Sequence, residues 1–190
     1  MDSHAPAPPR IVRLRRAVAG GLAMAALALA AGTTVAEEAL ESSVKAAYLY
    51  KFLSYVDWPA PAFATAYAPQ VIGVMGSDEV LAELQRLVAG RVVNGHPLVA
   101  TRIAPGDSVD LLHVLYIGRA ARTAAAMRSV SGRPVLTITD GPSGLGEGSV
   151  LNFVAVQGKV RFEASLPAAE RAGLKLSARL LAVAERVVTP

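Results

Sequence analysis

The sequence predicts an α/β fold: a single-domain layered sheet, mainly parallel, with an antiparallel edge hairpin and helices on both faces. Three observations carry this. Short uncharged apolar runs recur at 70–75, 111–117 and 134–139, the pattern of buried parallel strands. Stretches with apolar residues at helical spacing alternate with them, which is how βαβ units read. Late in the chain, β-rich arms at 150–156 and 159–164 flank Gln157-Gly158, a hairpin signal.

Taken in order, residues 38–56 predict a helix. Val44, Tyr48, Phe52 and Tyr55-Val56 form its stripe, Ala47 and Leu49 widen it, and Lys45 and Lys51 lie off it. Trp58-Pro59 ends it, because proline drives the preceding residue out of the helical region, and a Pro/Ala loop follows to residue 69. After the strand at 70–75, Asp78 is the expected N-cap of a helix over 79–88, with Val80, Leu81, Leu84 and Leu87 on one face. Asn94-Gly95 predicts a tight turn within 91–103. An Ala-rich helix is expected over 119–130, and Asp140-Gly141 closes the strand at 134–139. A glycine-rich loop spans 141–148. Pro167 is placed at the first position of a final helical segment that carries Leu174, Leu176, Leu180, Leu181, Val183 and Val187.

The 190 residues are 53% hydrophobic and 18% charged, which excludes a disordered chain, and the scattered Gly and Pro exclude a collagen-like one. With no cysteine, disulfides, thiolate metal sites and cysteine nucleophiles are excluded as well. The net charge of +4 belongs mostly to the start of the chain. Residues 1–36 hold Arg10, Arg13, Arg15 and Arg16 against Asp2, so 37–190 are nearly neutral and offer no electrostatic footprint for nucleic acid. That basic start precedes an uncharged run over 17–31 and the small residues Thr34-Val35-Ala36. This is a signal-peptide pattern, with cleavage expected after Ala36. The run is shorter than the roughly 20 residues a membrane span needs. Arg15-Arg16 lacks the rest of a twin-arginine pattern, so ordinary export is expected. The domain division is therefore 1–36 signal peptide and 37–190 exported domain, periplasmic or secreted.

No motif names a reaction. Gly141–Gly148 lacks the Lys-Ser/Thr and the following helix that a phosphate-binding loop needs. His96, in an expected exposed turn, and His113, inside a strand and bonded to backbone, have no partner spacing for metal. A Gly-x-Ser-x-Gly elbow is missing. Asp107 and Asp110 read as turn residues. No catalytic, cofactor or metal residue is therefore assigned, and a non-enzyme is expected. The aromatic stretch Tyr48, Tyr50, Phe52, Tyr55, Trp58 reads as core and helix surface, or as a partner or ligand surface. Trp58 is expected to anchor the fold.

An ordered set of blocks then resembles one family. Lys45-Ala-Ala-Tyr-Leu-Tyr-Lys-Phe52 with Val56-Asp-Trp-Pro59 resembles the opening of YfiR-like periplasmic proteins. Val71–Gly76, His113–Ile117, Val135–Asp140, the glycine loop, Asn152-Phe-Val154, Lys159–Glu163 and Ala172–Ser177 with Leu180-Leu181 follow in the family's order. The resemblance covers about residues 43–187. It implies a periplasmic regulator that binds the periplasmic sensor region of an inner-membrane diguanylate cyclase and represses it, lowering cyclic-di-GMP and biofilm formation. An outer-membrane lipoprotein that sequesters the repressor is a further implied partner; a homodimer is kept open apart from the resemblance. It also implies Glu163, Leu151 and Ala169 as partner-binding positions, with Glu163 matching the family pattern and the other two altered in chemistry. The disulfides of characterised relatives cannot form here. The alternatives are a periplasmic small-molecule-binding domain acting on another membrane receptor, and a hydrolase that no motif betrays.

Overall fold

The computed structural model describes residues 37–190; the expected signal peptide lies outside them. Residues 41–190 form one compact unit. Helix α1 covers 37–52. Then come β1 (Val56–Asp57), a 3-10 turn (Ala60–Ala62), β2 (Gln70–Met75), α2 (Asp78–Val88), β3 (Val92–Val93), β4 (His96–Arg102), β5 (Val114–Ile117) and α3 (Thr123–Ser129). The chain continues with β6 (Leu136–Asp140), β7 (Leu151–Val156), β8 (Lys159–Ser165), α4 (Leu166–Arg171), β9 (Lys175–Leu176), α5 (Ala178–Ala182) and β10 (Arg186–Val188).

Eight strands form one sheet in the order β10-β8-β7-β6-β5-β2-β4-β3. Its pairings are parallel except β7–β8 and β3–β4. The mainly parallel α/β architecture is the expected one, but the β7–β8 hairpin is not at an edge. β10 returns to pair with Glu163–Ser165 and takes the edge position. A separate two-stranded sheet joins β1 to β9, Val56 opposite Leu176.

Alternation along the strands divides the apolar residues between two faces. On the first face Ile72, Val74, Tyr116, Ile138, Phe153 and Phe162 meet α1, α2, α4 and α5 in the major core. Aromatic rings knit α1 to the hairpin: Phe52 lies 5.0 Å from Phe162, edge to face, and Tyr48 lies 5.7 Å from it. On the second face Met75, Leu115 and Ile117 meet α3 and the residues Ile103, Val109 and Leu112. That smaller core has no member from β7, β8 or β10. Seven-residue α3 reaches only part of the sheet, so the second face of the hairpin stays bare of helix.

Several boundaries differ from expectation for local reasons. α1 stops at residue 52, where Ser54 N and Tyr55 N bond Lys51 O and Phe52 O in a closing turn. Val56-Asp57 then leaves helix to pair with β9. Ser77, not Asp78, caps α2, its hydroxyl accepting from Val80 N at 3.3 Å. β5 begins at Val114, one residue after His113, and α3 is shorter than 119–130 at both ends. Asp140 is the last residue of β6 rather than a turn residue. The final helical segment is broken into α4, β9, α5 and β10. Gly173, at φ +66°, ends α4, and Ser177 starts α5 by accepting from Leu180 N at 3.2 Å. Ser165 caps α4, so Pro167 stands second in that helix, not first.

Candidate partner surface

The helix-free second face of β7, β8 and β10 carries Asn152, Lys159, Arg161, Glu163 and Arg186 beside Val154. Along β8, Phe162 is buried while Lys159 and Arg161 are exposed, the expected alternation. Glu163 belongs to the polar set but is not free. Arg186 Nε of β10 donates to its Oε1 at 2.7 Å, and Asn152 Nδ2 of β7 donates to Oε2 at 3.4 Å. Its side chain is 15% exposed against 58% for Arg186. The Arg186 hydrogen bond, helped by Asn152, holds the carboxyl below the usual carboxylate range against a smaller opposing effect of burial. Leu151 and Ala169 lie in the major core at 0% and 1% exposure. Of the three family-implied positions, Glu163 reaches the surface; the other two shape the hairpin and α4 from beneath.

Behind Glu163 the hydrogen bonds continue inward. Asn152 Oδ1 accepts from Thr139 Oγ1 at 2.9 Å and from Gly141 N at 3.3 Å, and Thr139 and Ser149 share a bond of 2.8 Å. A side chain at Gly144 would lie 2.0 Å from Thr139 Oγ1 and 2.3 Å from Asn152 Oδ1. The glycine loop is thus laid directly on the polar strand face, and only a residue without Cβ permits the approach. Ser149 N returns to Gly144 O, so the loop is turn-rich, as expected, and closed on itself.

Through the sheet from this network sits a charge cluster that sequence reasoning missed. Lys45 is 5% exposed, on the buried side of α1. Its ammonium lies 2.5 Å from Asp140 Oδ2 and also pairs with Glu41. Arg119 approaches Asp140 at 3.2 Å and Glu41 at 3.3 Å, and Tyr116 OH donates to Asp140 at 3.2 Å. Two cations and two anions balance, which is the condition for keeping Lys45 and Asp140 out of water. Lys45 holds Glu41 below its ordinary pKa, and burial, with Asp140 beside it, pushes the Tyr116 phenol up. The signal was present: Lys45 stands four residues before Leu49, on the same helical face.

The loop after β1 is fixed by an aromatic sandwich. Phe63 stacks between His96, 3.8 Å away at 12°, and His113, 4.3 Å away at 24°. His96 opens β4 and is half-buried rather than in an exposed turn; its Nδ1 lies 2.7 Å from Ala68 O. Val71 N donates to His113 Nδ1 at 3.1 Å, so the expected backbone bond of His113 exists, while its buried Nε2 has no partner. Both rings thus address backbone groups. Trp58 Nε1 donates to His113 O at 3.1 Å, tying the exit of the first segment to β5, as an anchor should.

In a doubly wound sheet a ligand sits beyond the carboxyl ends of the strands where the chain order reverses. Here that point lies between β2 and β5. The backbone itself fills it: a Cβ on Gly118 would lie 2.6 Å from Gly76 O, and one on Gly76 would lie 2.8 Å from Ala121 Cβ. No described helix is long and apolar enough to cross a membrane.

Comparison with protein families adds a match. A family model described as YfiR/HmsC-like matches residues 42–185, most of the described chain. No curated protein matches it.

Proposed function

The chain belongs to the YfiR/HmsC-like family, and from that premise we propose that it is an exported repressor of an inner-membrane diguanylate cyclase. Membership implies a periplasmic regulator in cyclic-di-GMP signalling, a family role that is regulatory rather than catalytic. The finer reading is that residues 37–190, freed of a signal peptide cut after Ala36, bind the cyclase's periplasmic sensor region and lower cyclic-di-GMP and biofilm formation. An outer-membrane lipoprotein that sequesters the repressor fits the same scheme. The family match over residues 42–185 carries this reading. The helix-free face around Glu163, with Lys159, Arg161 and Arg186 exposed, supports it by offering a place for a partner.

Repression requires that the protein bind the inactive form of the receptor more tightly than the active form. Glu163, with Leu151 and Ala169 setting the shape of the hairpin and α4 beneath it, is the proposed contact region. A plain charge reversal at Glu163 also disturbs Arg186, so stability does not stay untouched, as it would at a free surface site. Glu163→Arg is expected to cost about 1–2 kcal/mol. The exchange Glu163→Arg with Arg186→Glu keeps a pair of opposite charges while inverting the field the partner meets. The decisive measurement is cyclic-di-GMP in cells carrying the exchanged pair at normal abundance. A rise supports the repressor surface; wild-type levels reject it.

A further inference from the structure

An open groove of about 670 Å³ runs between the last turn of α3, the starts of β6 and β7, and the end of α4. Buried Val135 and Val150, with half-buried Met127, form an apolar floor. Arg128, Arg133 and Arg171 line it, against the single acid Glu147. Arg133 is engaged by Asp110 at 2.6 Å. Arg128 and Arg171 make no ion pair among the described residues. Both stand in the last turns of short helices, where a cation is favoured beside free carbonyls. That explains the residue type at each position but not why two unengaged guanidinium groups from different helices flank one apolar floor.

We propose that this groove docks an extended acidic peptide segment of the partner, an apolar side chain resting on the floor and carboxylates meeting Arg128 and Arg171. Guanidinium groups recognise carboxylates through planar paired donors, and an apolar centre within a polar rim is the usual anatomy of such contacts. That the segment belongs to the cyclase sensor region rests on the repressor reading; the chemistry of the groove does not.

The test uses a fluorescently labelled peptide of alternating Asp and Leu, followed by anisotropy on the exported chain. The acidic peptide is expected to bind, to weaken as salt rises, and to bind about tenfold more weakly to R128E/R171E. It should bind more tightly to E147Q, and a Lys–Leu peptide should not bind. Melting curves confirm that each variant is folded, and R128Q/R171Q replaces the double reversal if that one is not. Absence of acidic-peptide binding, equal binding by the folded double variant, or equal binding of the Lys–Leu peptide overturns the proposal. Separately, a purified sensor region that fails to bind the wild-type protein rejects the repressor reading, whatever the peptide does.

Discussion

Lys45 is the residue whose loss the fold should feel most. Removing one member of a buried ion pair leaves the other charged and unpaired, at a cost of roughly 3–5 kcal/mol. Lys45→Ala would strand Asp140, at 7% exposure, with only Arg119 and the Tyr116 hydroxyl. Because Arg119 still pairs with Asp140, urea unfolding should show a loss at or below the lower end of that range, whereas an exposed Lys51→Ala should change little. Trp58 is half-buried, so Trp58→Ala should fall at or below the lower end of the roughly 3–5 kcal/mol typical of large aromatic truncations. His113 supplies a pH dependence. Burial lowers its pKa in the folded protein below the ordinary imidazole value, so the unfolded chain binds the proton first. Its contribution is fully present above about pH 6.5 and is lost as pH falls below that value toward the folded pKa. Protonation would place a second N–H at Nδ1, where Val71 N already donates. Stability measured between pH 7 and pH 5 should decline, and His113→Gln should flatten the slope. Glu41 and Glu163, both held low by cations, act only in the more acidic carboxylate range.

At the scale of elements, β10 decides what the hairpin is. Three residues, Arg186–Val188, cover the outer side of Glu163–Ser165. Ending the chain at Glu185 would remove both this strand and the cation beside Glu163, leaving a strand edge open to pairing with another copy. Light scattering should then show more self-association than for the full chain. The elements also show where sequence reasoning works. The apolar runs and the Asn94-Gly95 and Gln157-Gly158 turns, all four residues at positive φ, were readable because their signals are local. The edge position was not, because β10 pairs with a strand over 20 residues earlier and its three residues carry no distinctive period. The final segment misled for a related reason. Leu174 to Val187 hold an apolar stripe, yet the capping hydroxyl of Ser177 and the positive φ of Gly173 divide it.

Across the whole molecule, function was legible only through an ordered set of motifs, since no single residue cluster announces a chemistry. Glu163 stood out by its place in that order, while its tie to Arg186 needed three-dimensional register. The Lys45–Asp140 pair spans 95 residues of sequence, and only the fold brings it together. With no cysteine, nothing covalent closes these long loops. Melting curves with and without reductant should superimpose; a shift would mean that some other redox-active component is bound.

The aromatic seam between α1 and the hairpin also has a temporal meaning. Tyr48 and Phe52 find their partners Phe153 and Phe162 about a hundred residues later in the chain. A chain made from its amino end therefore delivers α1 long before these two ring partners exist, and contacts of such separation form slowly. Tyr48 and Phe52 must wait for these rings until the hairpin has been made. Pulse-labelling hydrogen exchange on chains arrested near residue 145 should find the α1 amides unprotected, and on released chains protected; protection in the arrested chains would contradict this order of events.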